Sequence, residues 1–172
     1  MIQRLRVPLG FVIAAAVLYL AKPTGISILA GLPIALAGAI LRALAASVIR
    51  KDAVLTTSGP YAWTRNPLYL GSSLLGLGFA IMSGSWIAAA LIILPSFIIY
   101  PNVIRNEEAH LARLFPDGFL KYRTRVPRFL PRFSATDGFY QMKHYVANRE
   151  YNTALGFAAV LMIFILKWRL NN

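Results

Sequence analysis

The 172-residue chain has no cysteine and only two histidines, His110 and His144. Disulfides, thiolate nucleophiles and cysteine-ligated metals are thereby excluded, and two histidines thirty-four positions apart do not make a histidine-rich metal site. Charge is also scarce. Lys, Arg, Asp and Glu together make up 14% of the residues, against roughly a quarter in soluble domains. Acidic residues are rarest of all, six against eighteen basic ones, for a net charge of +12. No internal repeat and no low-complexity tract interrupts the chain.

What the chain does have is apolar sequence: 58% hydrophobic residues and a mean hydropathy of +0.59. Five runs are almost free of charge, at 7–21, 26–49, 68–82, 86–100 and 154–166. A membrane-crossing helix needs about 20 apolar residues, so the shorter runs need tilt or flanking aromatics to complete a crossing. The expectation is an all-α, integral-membrane bundle of about five transmembrane helices, forming one membrane-embedded domain over 1–172. The basic N-terminal "RLR" with its apolar run reads as a retained first helix, because further spans follow and no small-residue cleavage site is evident.

A basic chain first raises nucleic acid as a partner, but here the positive charges flank apolar spans. With a cytoplasmic N-terminus, five spans put Arg4, Arg6, Arg50, Lys51, Arg65 and all of 102–150 on the inner side. Segment 102–150 alone holds nine Lys/Arg, whereas Lys22, Lys167 and Arg169 fall outside. This asymmetry follows the positive-inside rule and predicts N-in, C-out topology in a bacterial-type inner membrane. The implied partners are the bilayer, with its anionic headgroups, and no nucleic acid. The sequence leaves the oligomeric state open.

Two polar stretches interrupt this pattern. The first is "GPYAWTRNPLYLG", 59–71. Asn66 before Pro67 predicts a helix start, with Asn as cap and Pro at the first helical position. The positive end of that helix would then lie beside Arg65 and suit a carboxylate or phosphate. Gly71 and Gly78 share one helical face, with Gly76 turned away, so a neighbouring helix or a flat ligand can approach closely. The second stretch is "NEEAHLARLF". Read as a helix, Ile104, Leu111 and Phe115 form an apolar stripe that also contains Glu108, with Glu107 at its edge. A carboxylate on a buried face needs a cation. Arg42, Arg65 or a cationic ligand can supply one, and an Arg105–Glu108 pair on the helix surface is the plain alternative. Arg42, inside the second span, either faces the bundle interior or snorkels to the headgroups.

Downstream, "FPDGFLKYRTRVPRFLPR" predicts a turn at 116–118, a face shared by Phe119 and Tyr122, and a basic strip of Arg123, Arg125, Arg128 and Arg132. Phe139, Tyr140, Met142 and Tyr145 predict a surface-lying segment over 132–150, before a last span at 151–168.

In this order, the motifs resemble the integral-membrane methyltransferases that include isoprenylcysteine carboxyl methyltransferases and phospholipid N-methyltransferases. "GPYAWTRNPLYLG" is similar to that family's G-x-Y-x-x-x-R-H-P-x-Y-x-G, "EEAHLARLF" to its E-E-x-x-L, and "YRTRVPRFLP" to its terminal motif; the likeness covers 59–131. It implies S-adenosylmethionine as methyl donor, with S-adenosylhomocysteine as product. The implied cofactor-binding residues are Tyr61, Arg65, Asn66, Pro67, Tyr69, Gly71, Gly76, Gly78, Glu107, Glu108 and Tyr122, with Glu108, Arg42 and Arg125 as catalytic candidates and no metal. The acceptor is expected to be a lipophilic small molecule or prenylated substrate, either an isoprenylcysteine-type carboxylate or a phospholipid amine, met at the cytoplasmic face. Asn66 departs from the pattern: the family has histidine there, and an amide cannot serve as acid or base near neutral pH. Two alternatives stand beside this expectation. One is an NADPH-dependent sterol or steroid reductase, which shares an R-H-x-x-Y-like motif; the other is a non-catalytic scaffold in which Arg42 and Glu108 pair.

Overall fold

The computed structural model describes residues 2–134 and 136–171, with the side chains of 2–9 and Phe11 outside that description, so the inner-side placement of Arg4 and Arg6 lies outside it too. Among the described residues there are helices and connecting segments but no strand. The helices are α1 (Ile2–Leu20), α2 (Gly25–Val48), α3 (Pro60–Trp63), α4 (Pro67–Met82), α5 (Trp86–Leu114), α6 (Pro116–Arg125), α7 (Met142–Ala147) and α8 (Tyr151–Leu170). Three of them, α2, α5 and α8, are long and apolar enough to cross a membrane, and α4 is a shorter apolar helix of 16 residues. Each of the five apolar runs lies in a different helix. Large apolar side chains cover the outside, among them Tyr19, Ile26, Trp86, Phe97, Ile98 and Leu155, all more than 60% exposed. An exterior of this kind suits hydrocarbon rather than water. The chain is an integral-membrane helical bundle.

The inside is small. Ala21, Ile28, Ala35, Met82 and Phe164 form the buried core, with Leu75, Phe79 and Phe157 packed around it. α2 and α4 lie almost in backbone contact along Gly31, Ala35 and Gly38 on one side and Gly71 and Gly78 on the other. A Cβ built on Gly78 would sit 2.5 Å from Ala35 N, and one on Gly71 would sit 2.8 Å from Gly38 O. Small residues at such spacings are how apolar helices gain van der Waals contact where lipid removes the hydrophobic incentive.

The two ends of the bundle differ. At one end, Thr24 and Ser27 form a reciprocal cap on α2, Ser27 Oγ donates to Met82 O, and Lys22 N donates to Ser83 O at 2.7 Å. The "SGS" connection between α4 and α5 closes this end. Its Gly84 has φ +59°, and a Cβ there would lie 2.2 Å from Lys22 O, so only glycine fits. Lys167 Nζ donates to the carbonyls of Leu18, Tyr19 and Ala21, satisfying the C-terminus of α1. The other end gathers every polar stretch and all six acidic residues.

Two local expectations change. α5 runs unbroken through Pro95 and Pro101 to Leu114, so the apolar span and the "NEEAHLARLF" helix are one rod of about 43 Å, at 1.5 Å per residue over its 29 residues. Residues 116–118 are the first turn of α6 rather than a free turn. Pro116 occupies the favoured first helical position and Asp117 the acidic first turn. Between α6 and α7 the chain has no regular structure among its described residues and returns to the end of α2, where Gln141 N donates to Ser47 O and Asn148 Nδ2 to Ala46 O. Phe133 and Phe139 on this segment and Met142 at the start of α7 remain more than 70% exposed.

Candidate functional site

The first polar motif is shaped by pairing with the third. Gly59, at φ +58°, turns the chain into the single turn of α3, beyond which Thr64 is extended. From there the backbone runs beside 127–134: Arg65 N donates to Pro127 O, Arg132 N to Trp63 O, and Trp63 Nε1 to Ser134 O, each at 2.9 Å. Thr64 Oγ1 and Asn66 Nδ2 both donate to Arg128 O, at 3.2 and 2.9 Å. "TRNP" and "RVPRFLP" are thus two sides of one polar layer laid over the start of α4.

Glu108 rises into this layer from α5. The stripe expected from the sequence holds, with Ile104 and Glu108 both buried. The carboxylate is met by three groups. Arg128 donates to Oε2 through Nε at 3.0 Å and Nη2 at 2.8 Å, Asn66 Nδ2 donates to Oε1 at 3.4 Å, and Arg65 Nη1 lies 3.3 Å from Oε1. The surface pair with Arg105 is not formed. Asn66 holds the N-cap position of α4 but makes no side-chain cap hydrogen bond; its amide is spent on Glu108 and Arg128 O instead. Pro67 does occupy the first helical position.

Arg65 is the odd member. Its side chain is 8% exposed, and its Nε and Nη1 are buried without a hydrogen-bond acceptor, since Glu108 is near enough to pair in charge but lies off the hydrogen-bonding direction. Burial pulls its pKa below the ordinary arginine value, and the Glu108 charge opposes that shift. An arginine with idle buried donors is costly unless an anion completes it.

Around these groups lies a cavity with two lobes. One, of about 230 Å³, is lined by Arg42, Arg65, Asn66, Pro67, Tyr69 and Glu107 among others; the second, of about 290 Å³, extends beneath residues 49–56. Ile49, Lys51, Tyr61, Arg65, Glu107, Leu111 and Tyr122 form their common wall, and together the lobes have the size of a small-ligand pocket. Tyr69 OH donates to Glu107 Oε1 at 2.8 Å, and Tyr122 OH to Tyr61 O at 2.7 Å. Burial raises the pKa of both Tyr61 and Tyr122, so both rings stay neutral well into the alkaline range.

Of the expected residues, Tyr61, Arg65, Asn66, Pro67, Tyr69, Glu107, Glu108, Tyr122 and Arg42 line this cavity. Gly71 and Gly78 do not: their faces are filled by α2. Gly76 points the other way, where a Cβ would meet only Ile92 at an ordinary 3.5 Å, and it lines a separate apolar groove. Arg125 is exposed at the end of α6 and lines neither lobe. The arginine that reaches Glu108 is Arg128, three residues on, because the chain turns back along 63–66 only after α6 ends. Arg42 does not pair with Glu108, as the scaffold alternative required. It forms a forked ion pair with Glu150, Nε to Oε1 at 2.7 Å and Nη2 to Oε2 at 2.8 Å, and also donates to Ser72 Oγ. Arg128 is expected from the sequence only as part of a basic strip and Glu150 only as the end of a surface segment; neither is expected at the site, because both stretches also read as membrane-surface sequence.

The groove holds about 460 Å³ and lies between α4 and α5, lined by Ser73, Gly76, Leu77, Ile93, Phe97 and Tyr100, with Arg105 and Arg128 at its polar end.

Comparison with known proteins agrees with these motifs. Residues 43–118 match the family model described as phospholipid methyltransferase. Over 122 residues, 68% of this chain, the sequence is 38% identical to the cobalt-zinc-cadmium resistance protein CzcN of Cupriavidus metallidurans, covering 56% of that protein. It is 34% identical over 95 residues to the protein-S-isoprenylcysteine O-methyltransferase of Schizosaccharomyces pombe, covering 55% of this chain and 40% of the relative. The human enzyme of the same name is 34% identical over 77 residues, 45% of this chain and 27% of the relative. The chain thus spans about half or less of the length of these relatives, and no solved structure matches it. The family model and these relatives support a place for the chain in the integral-membrane isoprenylcysteine carboxyl methyltransferase and phospholipid methyltransferase family.

Proposed function

We propose that this chain is a methyltransferase that uses S-adenosylmethionine to methylate a lipophilic acceptor, an isoprenylcysteine-type carboxylate or a phospholipid amine, at the cytoplasmic face of the membrane. The observation that carries this is Arg65. A buried guanidinium with two idle nitrogens, in a cavity that Glu107 and Glu108 also line, suits a ligand bearing both a carboxylate and an ammonium group. The donor set therefore fits the amino-acid moiety of S-adenosylmethionine. Arg65 would take the carboxylate, Glu107 or Glu108 the ammonium, and the Tyr69 and Tyr122 rings would offer faces to a cation. When bound, S-adenosylmethionine supplies an electrophilic methyl group on a sulfonium.

The chain's own task is then alignment and exclusion of water rather than covalent or metal chemistry. Arg65 and Asn66 bring the polar layer to the cavity wall, and Arg42 and Leu68 bring α2 and α4 to it. Asn66 holds Glu108 toward Arg65 and Arg128 without a proton of its own to exchange. That division suits displacement at a methyl group, which needs orientation more than acid–base transfer. The apolar groove offers a lipid tail a sideways approach from the bilayer, with the polar cavity close behind Arg128. The N-in orientation rests on the charge asymmetry, which puts this polar end in the compartment where S-adenosylmethionine is made.

The test is ligand-dependent stability of the purified, detergent-solubilised protein. S-adenosylhomocysteine should raise its melting temperature in a concentration-dependent manner, and NADPH should not. Arg65→Ala and Glu108→Ala should each remove the shift while the protein still inserts into membranes. Stabilisation by NADPH alone would overturn the methyltransferase reading in favour of the reductase one.

A further inference from the structure

Where the segment after α2 meets α7 and the residues before it, there is a further cavity of about 410 Å³. It shares Arg50, Val54, Leu55 and Thr56 with the second lobe of the polar cavity, but none of Tyr61, Arg65, Glu107 or Tyr122. Its two walls are tied together: Gly59 N donates to Thr136 Oγ1 at 3.3 Å, and Gln141 N to Ser47 O at 2.9 Å. One wall brings Arg50 and the hydroxyls of 56–58; the other brings Lys143 and His144. No Asp or Glu lines it. Asp52, two residues from Arg50, pairs with His110 Nε2 at 3.1 Å instead, and among the described residues neither Arg50 nor Lys143 makes an ion pair. Gln141 also lines the cavity, and its side-chain oxygen is buried with no hydrogen-bond donor, an unmade bond that costs free energy. The rest of the lining is apolar and includes Phe139, which is 78% exposed. With Phe133 and Met142 it sets this face at the bilayer surface, where such side chains enter the headgroup boundary.

We propose that this cavity binds the headgroup of an anionic phospholipid, a phosphodiester that also carries a hydroxyl, at a site apart from the reaction. Arg50 and Lys143 meet the phosphate from the two walls, with the hydroxyls of 56–58 as further donors. The headgroup hydroxyl completes Gln141, and the acyl chains leave past Phe139 into the membrane. A zwitterionic head would bring its cationic group against Arg50 and Lys143 with no acid to receive it. Free phosphate has the same charge but nothing to cover Val54, Leu55 and Phe139, so the lining favours the lipid. The bound lipid clamps 48–58 to 139–144 and so fixes the membrane-surface segment to the end of α2. None of this depends on the methyltransferase reading.

The experiment uses the full chain in phosphatidylcholine nanodiscs, with spin-labelled phosphatidylglycerol, phosphatidylmethanol and phosphatidylcholine as probes, read as the immobilised fraction in EPR spectra. Phosphatidylglycerol should associate about fivefold or more strongly than phosphatidylcholine. A chain of net charge +12 also attracts anionic lipid diffusely, so variants of equal charge loss separate the site from the surface. Arg50→Gln combined with Lys143→Gln should bring the preference down to about twofold or less. Lys121→Gln combined with Arg123→Gln, both exposed on α6, should keep it within about 1.5-fold of the wild-type value. Equal falls in the two pairs assign the preference to diffuse charge and overturn the site. So does a preference that the first pair leaves unchanged. Phosphatidylmethanol, anionic but without a hydroxyl, should associate about twofold more weakly than phosphatidylglycerol, and Gln141→Leu should erase that difference. Equal association of these two lipids with the wild-type protein overturns the role of Gln141. Inorganic phosphate should displace spin-labelled phosphatidylglycerol no better than chloride at equal ionic strength; specific displacement would make this a site for free phosphate and overturn the lipid assignment.

Discussion

Arg42 on α2 and Glu150 at the start of α8 meet in a forked ion pair of 2.7 and 2.8 Å, across 108 residues of sequence. Glu150 is 7% and Arg42 21% exposed at the side chain, and Arg42 also reaches Thr153 Oγ1 at 3.2 Å. This pair anchors the last helix to the bundle at the polar end, as Lys167 does at the other end. A double-mutant cycle of Arg42→Met and Glu150→Met, followed by denaturant unfolding in detergent, should give a coupling energy of about 1–3 kcal/mol. Coupling below about 0.5 kcal/mol would show a pair formed without energetic consequence. The single variant Glu150→Met should also expose the 148–151 junction to limited proteolysis.

The glycines of α4 divide by the face they present. Gly71 and Gly78 abut the backbone of α2, so Gly78→Ala should destabilise the bundle by about 1–3 kcal/mol through overpacking, and Gly71→Ala by a similar amount because Arg42 Cγ stands 2.7 Å from the added carbon. Gly76→Ala should be nearly neutral or slightly stabilising in the same melting assay, since its methyl meets Ile92 at van der Waals distance and alanine favours the helix. A Gly76→Ala protein as unstable as Gly78→Ala would show that α4 packs differently.

Alkaline pH should unfold the protein through Tyr61 and Tyr122. Both have folded-state pKa values raised above the ordinary 10.0, by burial first. A raised folded-state value means the folded protein holds these protons longer than the unfolded chain does. Their contribution to stability is therefore complete below about pH 10 and falls as pH climbs above it. Ionisation of Tyr122 would also remove the donor to Tyr61 O. Melting temperature measured from about pH 8 to about pH 11 should drop beyond pH 10, and the drop should be shallower in Tyr122→Phe. Equal slopes in the two proteins would assign the alkaline loss to other groups.

The spans were legible because membrane helices need long uncharged runs, and the end of the bundle that carries the site was legible because charge marks it. Helix ends were less so. Tyr100-Pro101 marks where polarity changes, but the hydrogen-bond ladder of α5 continues past it, so composition and helix length part company there. Glu108 could be read as buried from its place in the Ile104 stripe, which depends only on helical spacing. Of its partners, Arg65 could be named in advance and lies 3.3 Å from it, but Asn66 and Arg128 could not. Arg128 is one of several arginines in an irregular stretch where periodicity says nothing, and its position is set by backbone bonds between 63–66 and 127–134. Glycine faces were similarly ambiguous: spacing shows that Gly71 and Gly78 point one way and Gly76 another, but not which side holds a helix.

Asn66 is where the family pattern has histidine, and its contacts define what the position requires. Its Nδ2 donates to Arg128 O at 2.9 Å and Glu108 Oε1 at 3.4 Å, in a buried layer. Asn66→Asp keeps the shape but replaces both N–H donors with an acceptor beside Glu108. At neutral pH it should cost about 1–3 kcal/mol, from the donor lost to the Arg128 carbonyl, which keeps only Thr64 Oγ1, and from the like charge beside Glu108. Asn66→His retains an N–H donor and should stay within about 1 kcal/mol of the wild-type protein. Melting curves of the three proteins at neutral pH decide the matter. If Asn66→Asp is as stable as wild type at pH 7, the amide is not the group that holds Glu108, and Arg128 alone orients the carboxylate.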